Sequence, residues 1–215
     1  LLRVANSAAQ ARAEPVVSIE EAVLAVGFTE VHRLVGALAA EQVSDHPLTL
    51  QGVSAAAFRG NALFVATLME ALGARARLDA HACYTTGLLR TIGLPVLARA
   101  AERSAEKIPA FAESGESSVA AWERRYWGID RWSLAARLLE EWHFPPELVA
   151  ALAQHEAPEA GAEPAVHLLR LAVAVAARDG YGLPGDDARV DEATIAAAGL
   201  TAGQWSSACE RAEET

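Results

Sequence analysis

The chain has 215 residues, of which 52% are hydrophobic, and carries a formal net charge of -10. It is long enough to bury one large core or two small ones. The acidic balance and the absence of a dense basic run argue against direct nucleic-acid binding, because an acidic surface repels a phosphate backbone. No apolar stretch reaches the roughly 18 residues of a membrane span, and there is no secretory leader, so a cytoplasmic protein without membrane contact is expected.

Helical spacing runs the length of the chain. Leu1 to about Ala11 reads as the end of a helix, so an upstream region is expected. A loop follows at Glu14-Pro15. Ser18-Ile19-Glu20-Glu21 is a capping-box pattern, in which the serine and the glutamate three residues on satisfy free N–H groups. Gly27 stops that helix, and Thr29 caps the next, which passes through Val31, Leu34, Val35 and Leu38. His46-Pro47 closes a small N-terminal lobe, with a coarse boundary near residue 50.

The second part opens with a long helix from about Ser54 to Leu72, which Gly73 is expected to end. Asp79 caps a helix through Cys83, Thr86 and Leu89 that Gly93 and Pro95 interrupt. Residues 102–118 look looser. Asp130 caps a helix carrying Leu134, Ala135, Leu138 and Leu139. Pro145-Pro146 sets the first turn of another, through Leu148, Val149 and Leu152. His155 to Glu163 reads as a loop. Pro164 opens a helix ending near Gly180, and Gly182 to Asp187 is turn-rich. Thr201-Ala202-Gly203-Gln204 is a second capping-box pattern. No period-two alternation is long enough for a strand. The expected fold class is all-α, in one unit of three parts: residues 1–50, 51–160 and 161–215, the last adding two or three helices.

Motif chemistry is sparse. There is no phosphate-binding glycine loop, dinucleotide fingerprint, HExxH or GxSxG. Cys83 and Cys209 form no zinc-ligand pattern and fit a reducing compartment. Of the six histidines, only His155, followed by Glu156, resembles a fragment of a site. A lone His beside a Glu is more often a helix-end residue. Trp122, Trp127, Trp132 and Trp142 are bunched and fit helix packing better than a ring-binding face. Arg124, Arg125 and Arg131 fit exposed ion pairs better than an anion site. Asn6 and Ser7 sit in an apolar helix and call for a fold-specifying hydrogen bond.

The order of segments says more. Leu2-Arg3-Val4-Ala5-Asn6-Ser7-Ala8 is followed by Val17-Ser18-Ile19-Glu20-Glu21-Ala22-Val23 and by Val26-Gly27. Then come Thr86-Gly87-Leu88-Leu89-Arg90-Thr91-Ile92-Gly93, Gly128-Ile129-Asp130-Arg131, Trp142-His143-Phe144-Pro145 and Ala153-Gln154-His155-Glu156-Ala157-Pro158. In that order, over about residues 1–160, the segments resemble the HD-related output domain (HDOD) family. The resemblance implies an HD-type helical bundle with a smaller N-terminal helical lobe, related to HD phosphohydrolases.

In those hydrolases a His, an adjacent His-Asp pair and a later Asp hold metal ions. The metal lowers the pKa of a bound water and stabilises phosphoryl charge. At the matching positions this chain has Asn61, Arg90-Thr91, Arg131, and His155 followed by Glu156. Arginine is permanently cationic and has no lone pair to donate to a metal. The expectation is therefore a non-catalytic bacterial signalling module with no catalytic residue, no metal and no cofactor. Its degenerate pocket comprises Asn61, Arg90, Thr91, Arg131, His155 and Glu156. Its partners would be signalling proteins, with self-association open, and an anionic small ligand fits Arg90 and Arg131 because guanidinium groups pair with oxyanions bidentately. The resemblance also places such domains beside receiver or other sensory domains in response regulators. Two alternatives stand beside this one: a residual metal-dependent phosphohydrolase or phosphodiesterase, and a structural dimerisation domain.

Overall fold

A computed structural model describes residues 48–142, 144–187 and 189–213; the expectations for the N-terminal lobe, including the Ser18 capping box, Thr29, Asn6 and Ser7, lie outside them. Within that range the regular elements are helices, as the spacing predicts. Helix α1 (Ala55–Arg75) starts at Ser54, whose side chain accepts the Ala57 N–H at 3.1 Å. It does not end at Gly73. A Cβ on that glycine would stand 2.5 Å from Cys83 Sγ, so the residue is there to admit the next helix rather than to terminate this one.

That next helix, α2 (Ala80–Leu89), is capped by Asp79, which accepts from the His81 and Ala82 amides at 2.9 and 3.1 Å. Gly87 packs against the α1 backbone, where an added Cβ would meet Ala66 Cα at 2.7 Å. Two small residues thus bring the two helices close enough for Asn61 of α1 to face Arg90, just after α2. Gly93 and Pro95 do interrupt α2, but they also open a helix of their own, α3 (Gly93–Glu102). Pro95 is tolerated because a first turn has no partner for its missing N–H. Gly93 lies against Arg131, whose carbonyl oxygen would be 2.1 Å from an added Cβ.

After an irregular stretch containing one short 3-10 turn (Phe111–Glu113), α4 (Val119–Trp127) was not foreseen by spacing. Ser118 caps it, and Gly128 ends it at φ 71°. Helix α5 (Arg131–Glu141) is capped by Asp130 through the Ser133 N–H, and α6 (Pro146–Gln154) begins at the expected double proline. Helix α7 (Pro164–Arg178) packs on α1 and α6 and buries Leu168, Leu169 and Leu171 completely. Burial of each such side chain contributes about 1.5–3 kcal/mol. The short α8 (Glu192–Ala197) follows Asp191. Then comes α9 (Ala202–Glu213), where Thr201 and Gln204 exchange reciprocal cap bonds at 2.9 and 3.3 Å. Among the described residues no helix is long and apolar enough to cross a membrane.

Candidate functional site

Three helix ends, the body of α1 and one loop converge on Arg90, which is fully buried. Its Nη1 donates to Asn61 Oδ1 at 3.1 Å, and its Nε donates to His155 Nε2 at 3.3 Å. Its Nη2 donates to Asp186 Oδ1 in a buried ion pair. The guanidinium carbon also lies over the Trp132 ring, 4.2 Å from its centroid. A fully buried cation demands this many partners, since an unpaired charge in the interior is strongly disfavoured.

The histidine is neutral, with an assignable tautomer. Arg90 Nε is always a donor, so His155 Nε2 must accept, and Nδ1 carries the hydrogen that it donates to Leu152 O at 3.0 Å. Burial, helped by the Arg90 charge, pushes the His155 pKa down to about 3. Glu156 sits at the rim, half-exposed, with Oε1 3.6 Å from His155 Nε2. Burial raises the pKa of its carboxyl, and Arg90 opposes that shift.

Arg131 is also buried but belongs to a separate pair. Its Nε donates to Glu123 Oε1 at 2.6 Å, and its backbone N–H donates to Glu123 Oε2 at 2.9 Å. The glutamate thereby satisfies one free amide at the start of α5 as well as the side chain. Among the described residues, the terminal nitrogens Nη1 and Nη2 of Arg131 have no hydrogen-bond partner, nor has Thr91 Oγ1. The Arg131 guanidinium carbon is 5.4 Å from the Trp132 ring centroid, so both buried arginines share that indole.

Of the six residues expected in the pocket, the structure joins Asn61, Arg90 and His155 directly and puts Glu156 beside them. Thr91 is buried without a bond to them, and Arg131 reaches them only through Trp132. Opposite the two arginines stand the chain's own carboxylates, Asp186 and Glu123. Neither stood out in the sequence. The available signal was charge balance: a buried arginine needs a carboxylate, and Asp186 lies in a turn-rich loop rich enough in acids to supply one. Of the exposed-pair expectation, Arg125–Glu116 fits, Arg124 is exposed but pairs with the buried Asp130, and Arg131 is interior.

The residues do not fit a metal ion. A permanent cation fills the centre, and it takes the His155 lone pair that a metal would need. Among the described residues, no group of three or more His, Cys, Asp or Glu side chains is placed to hold one. Beside the network, His155, Glu156, Arg170, Asp186, Asp187 and Arg189 line much of a polar cleft of about 450 Å³.

Comparison with solved structures places the fold. The chain is similar to the MmoQ response regulator from Methylococcus capsulatus str. Bath, at 23% identity and a TM-score of 0.61, covering 97% of this chain and 81% of that one. A Marinobacter aquaeolei VT8 protein, named provisionally for signal transduction, matches at 17% identity and a TM-score of 0.62 over the whole of this chain and 56% of its own. A Shewanella amazonensis SB2B protein, named provisionally as a phosphohydrolase, matches at 19% and 0.57, covering 99% of this chain and 77% of its own. At these identities the likeness carries the fold alone. A comparison with curated proteins finds no match. The model of the HDOD domain, however, matches residues 1–158. The chain belongs to the HDOD family.

Proposed function

We propose that this HDOD protein is a non-catalytic bacterial signal-transduction module that works by binding. Its partners are other proteins of a signalling pathway, and its degenerate pocket accepts an anionic small ligand. A response-regulator context is supported by the family and by the name of one structural neighbour. The observation that carries the non-catalytic part is Arg90. A buried guanidinium bonded to Asn61, His155 and Asp186 stands where hydrolysis would need a metal-bound water. Elemental analysis of the purified chain and a phosphodiesterase assay test this. Less than stoichiometric manganese, iron or magnesium and no turnover are expected; bound metal with turnover would overturn it. Calorimetric titration with nucleotides and cyclic dinucleotides tests the ligand, with heats expected from the wild type and lost in Arg90→Ala.

A further inference from the structure

The carboxylate of Asp186 sits as a bound oxyanion would. Its side chain is 1% exposed and accepts from three donors: Arg90 Nη2, the Leu183 N–H at 2.9 Å and, more weakly, Asn61 Nδ2 at 3.5 Å. Two are side chains carried by the helices and already bonded to each other through Arg90 Nη1 and Asn61 Oδ1, and one is a backbone amide, so the donors that meet the carboxylate are held in place.

The segment that delivers Asp186 has a packed root and a tip that turns at Gly185. At the root, the Tyr181 ring stacks on Phe64 with centroids 4.5 Å apart, and the Tyr181 carbonyl accepts from Asn61 Nδ2 at 2.7 Å. Leu183 is buried in a cluster with Leu48, Val53, Phe58 and Leu94. Beyond it, Gly185 adopts φ 96°, a conformation open to glycine and strained for other residues. Beyond Leu183 the tip is held to the helices through the Asp186 bonds to Arg90 and Asn61, while Asp187 pairs with Arg189 of its own segment.

Charge gives the tip its significance. The cleft side is lined by the cations Arg170 and Arg189, with Arg90 bonded to its wall, and by the anions Glu156, Asp186 and Asp187. These balance while the tip is seated. Lifting it withdraws Asp186 and Asp187, and Arg189 goes with Asp187, to which it is paired. Arg90 and Arg170 are then left facing Glu156 alone. The neighbouring buried arginine, Arg131, has two terminal nitrogens without partners. The opened site is cationic, and only an anion stronger than a monovalent carboxylate displaces one already seated.

We infer that Asp186 is an internal ligand on a hinged tip, and that the phosphate group of a small molecule competes with it for Arg90, which frees the Leu183 amide as the aspartate leaves. This deepens the proposal that the pocket takes an anion, and rests on it. The test uses the full chain, with inorganic pyrophosphate as the probe at constant ionic strength. In calorimetry, Asp186→Asn keeps the side-chain volume and an acceptor oxygen but removes the competing charge, so it is expected to bind about tenfold tighter than wild type or more. In the wild type, saturating pyrophosphate is expected to speed hydrogen exchange at the Leu183 amide. That arm decides the matter if the variant fails to fold. Equal affinities, or binding that leaves Leu183 equally protected, would overturn the internal-ligand role while leaving the anion site standing. No binding to either protein would remove the anion site and this inference together.

Discussion

Arg90 and Arg131 have the same side chain, nearly the same burial and a shared indole, yet they are held in opposite ways. Arg90 is bonded to groups 29, 65 and 96 residues away in the chain. Arg131 is bonded to one glutamate only 8 residues away, through its Nε and backbone N–H, and its fork is empty. The first arginine ties helices and a loop together; the second closes one corner between α4 and α5. Burial alone therefore does not tell what a charged residue does in a core. The sequence distance of its partners and the number of its satisfied donors do.

The difference is measurable. Arg90→Ala leaves Asp186 buried without its cation and is expected to cost about 3–5 kcal/mol in urea denaturation. Arg131→Ala also orphans a carboxylate, but it removes two buried donors that lack acceptors and whose desolvation counts against the native state, so a smaller loss of about 1–3 kcal/mol is expected. Equal losses would collapse the distinction.

Acid should act at the Arg90 site through His155. The unfolded chain binds its proton near the ordinary value of 6.5, while the folded chain does so only near 3. The unfolded state therefore holds the extra proton between those values. Stability from this residue is complete above about pH 6.5 and falls as the pH drops towards 3, by at most about 1.4 kcal/mol per pH unit. Denaturation midpoints between pH 7 and 4 would register that slope, and His155→Gln, which keeps an acceptor for Arg90, should flatten it. An unchanged slope would place the acid sensitivity elsewhere.

The smallest expected effect sharpens the contrast most. Lysine keeps the charge but loses the planar fork. Arg90→Lys should lose about 2 kcal/mol because one ammonium cannot serve partners in three directions. Arg131→Lys, whose fork has no partners to lose, should stay within about 1 kcal/mol. Thermal melts of the two single variants compare them directly.

Much of the fold was legible because its signals are local. Asp79, Pro146 and the Thr201–Gln204 pair act within four residues of themselves, and each starts the helix expected of it. Helix α3 was missed because Gly93 and Pro95 look like breakers, and only the contact with Arg131 explains why a glycine begins a helix there. Helix α4 was missed although Val119, Trp122 and Tyr126 fall on one face at helical spacing and Ser118 was in place to cap it. The site divides along the same line. Asn61, Arg90 and His155 were found through the family resemblance. Asp186 was not, because the resemblance ends near residue 160 and nothing local marks a loop aspartate as the partner of an arginine 96 residues earlier. Gly73 misled for the converse reason: a glycine that stops a helix and one that admits a neighbouring helix look alike until the neighbour is known.

The reach of the Arg90 bonds also bears on kinetics. Its partners cannot be in place until α1, α2, the end of α6 and the turn after α7 have all docked, so the network belongs to the last stage of folding. Interactions made after the transition state leave the folding rate nearly unchanged and slow unfolding instead. The buried arginine therefore acts less as an organiser of the fold than as a latch on the finished one, lengthening the lifetime of the native state against the transient opening that proteases exploit.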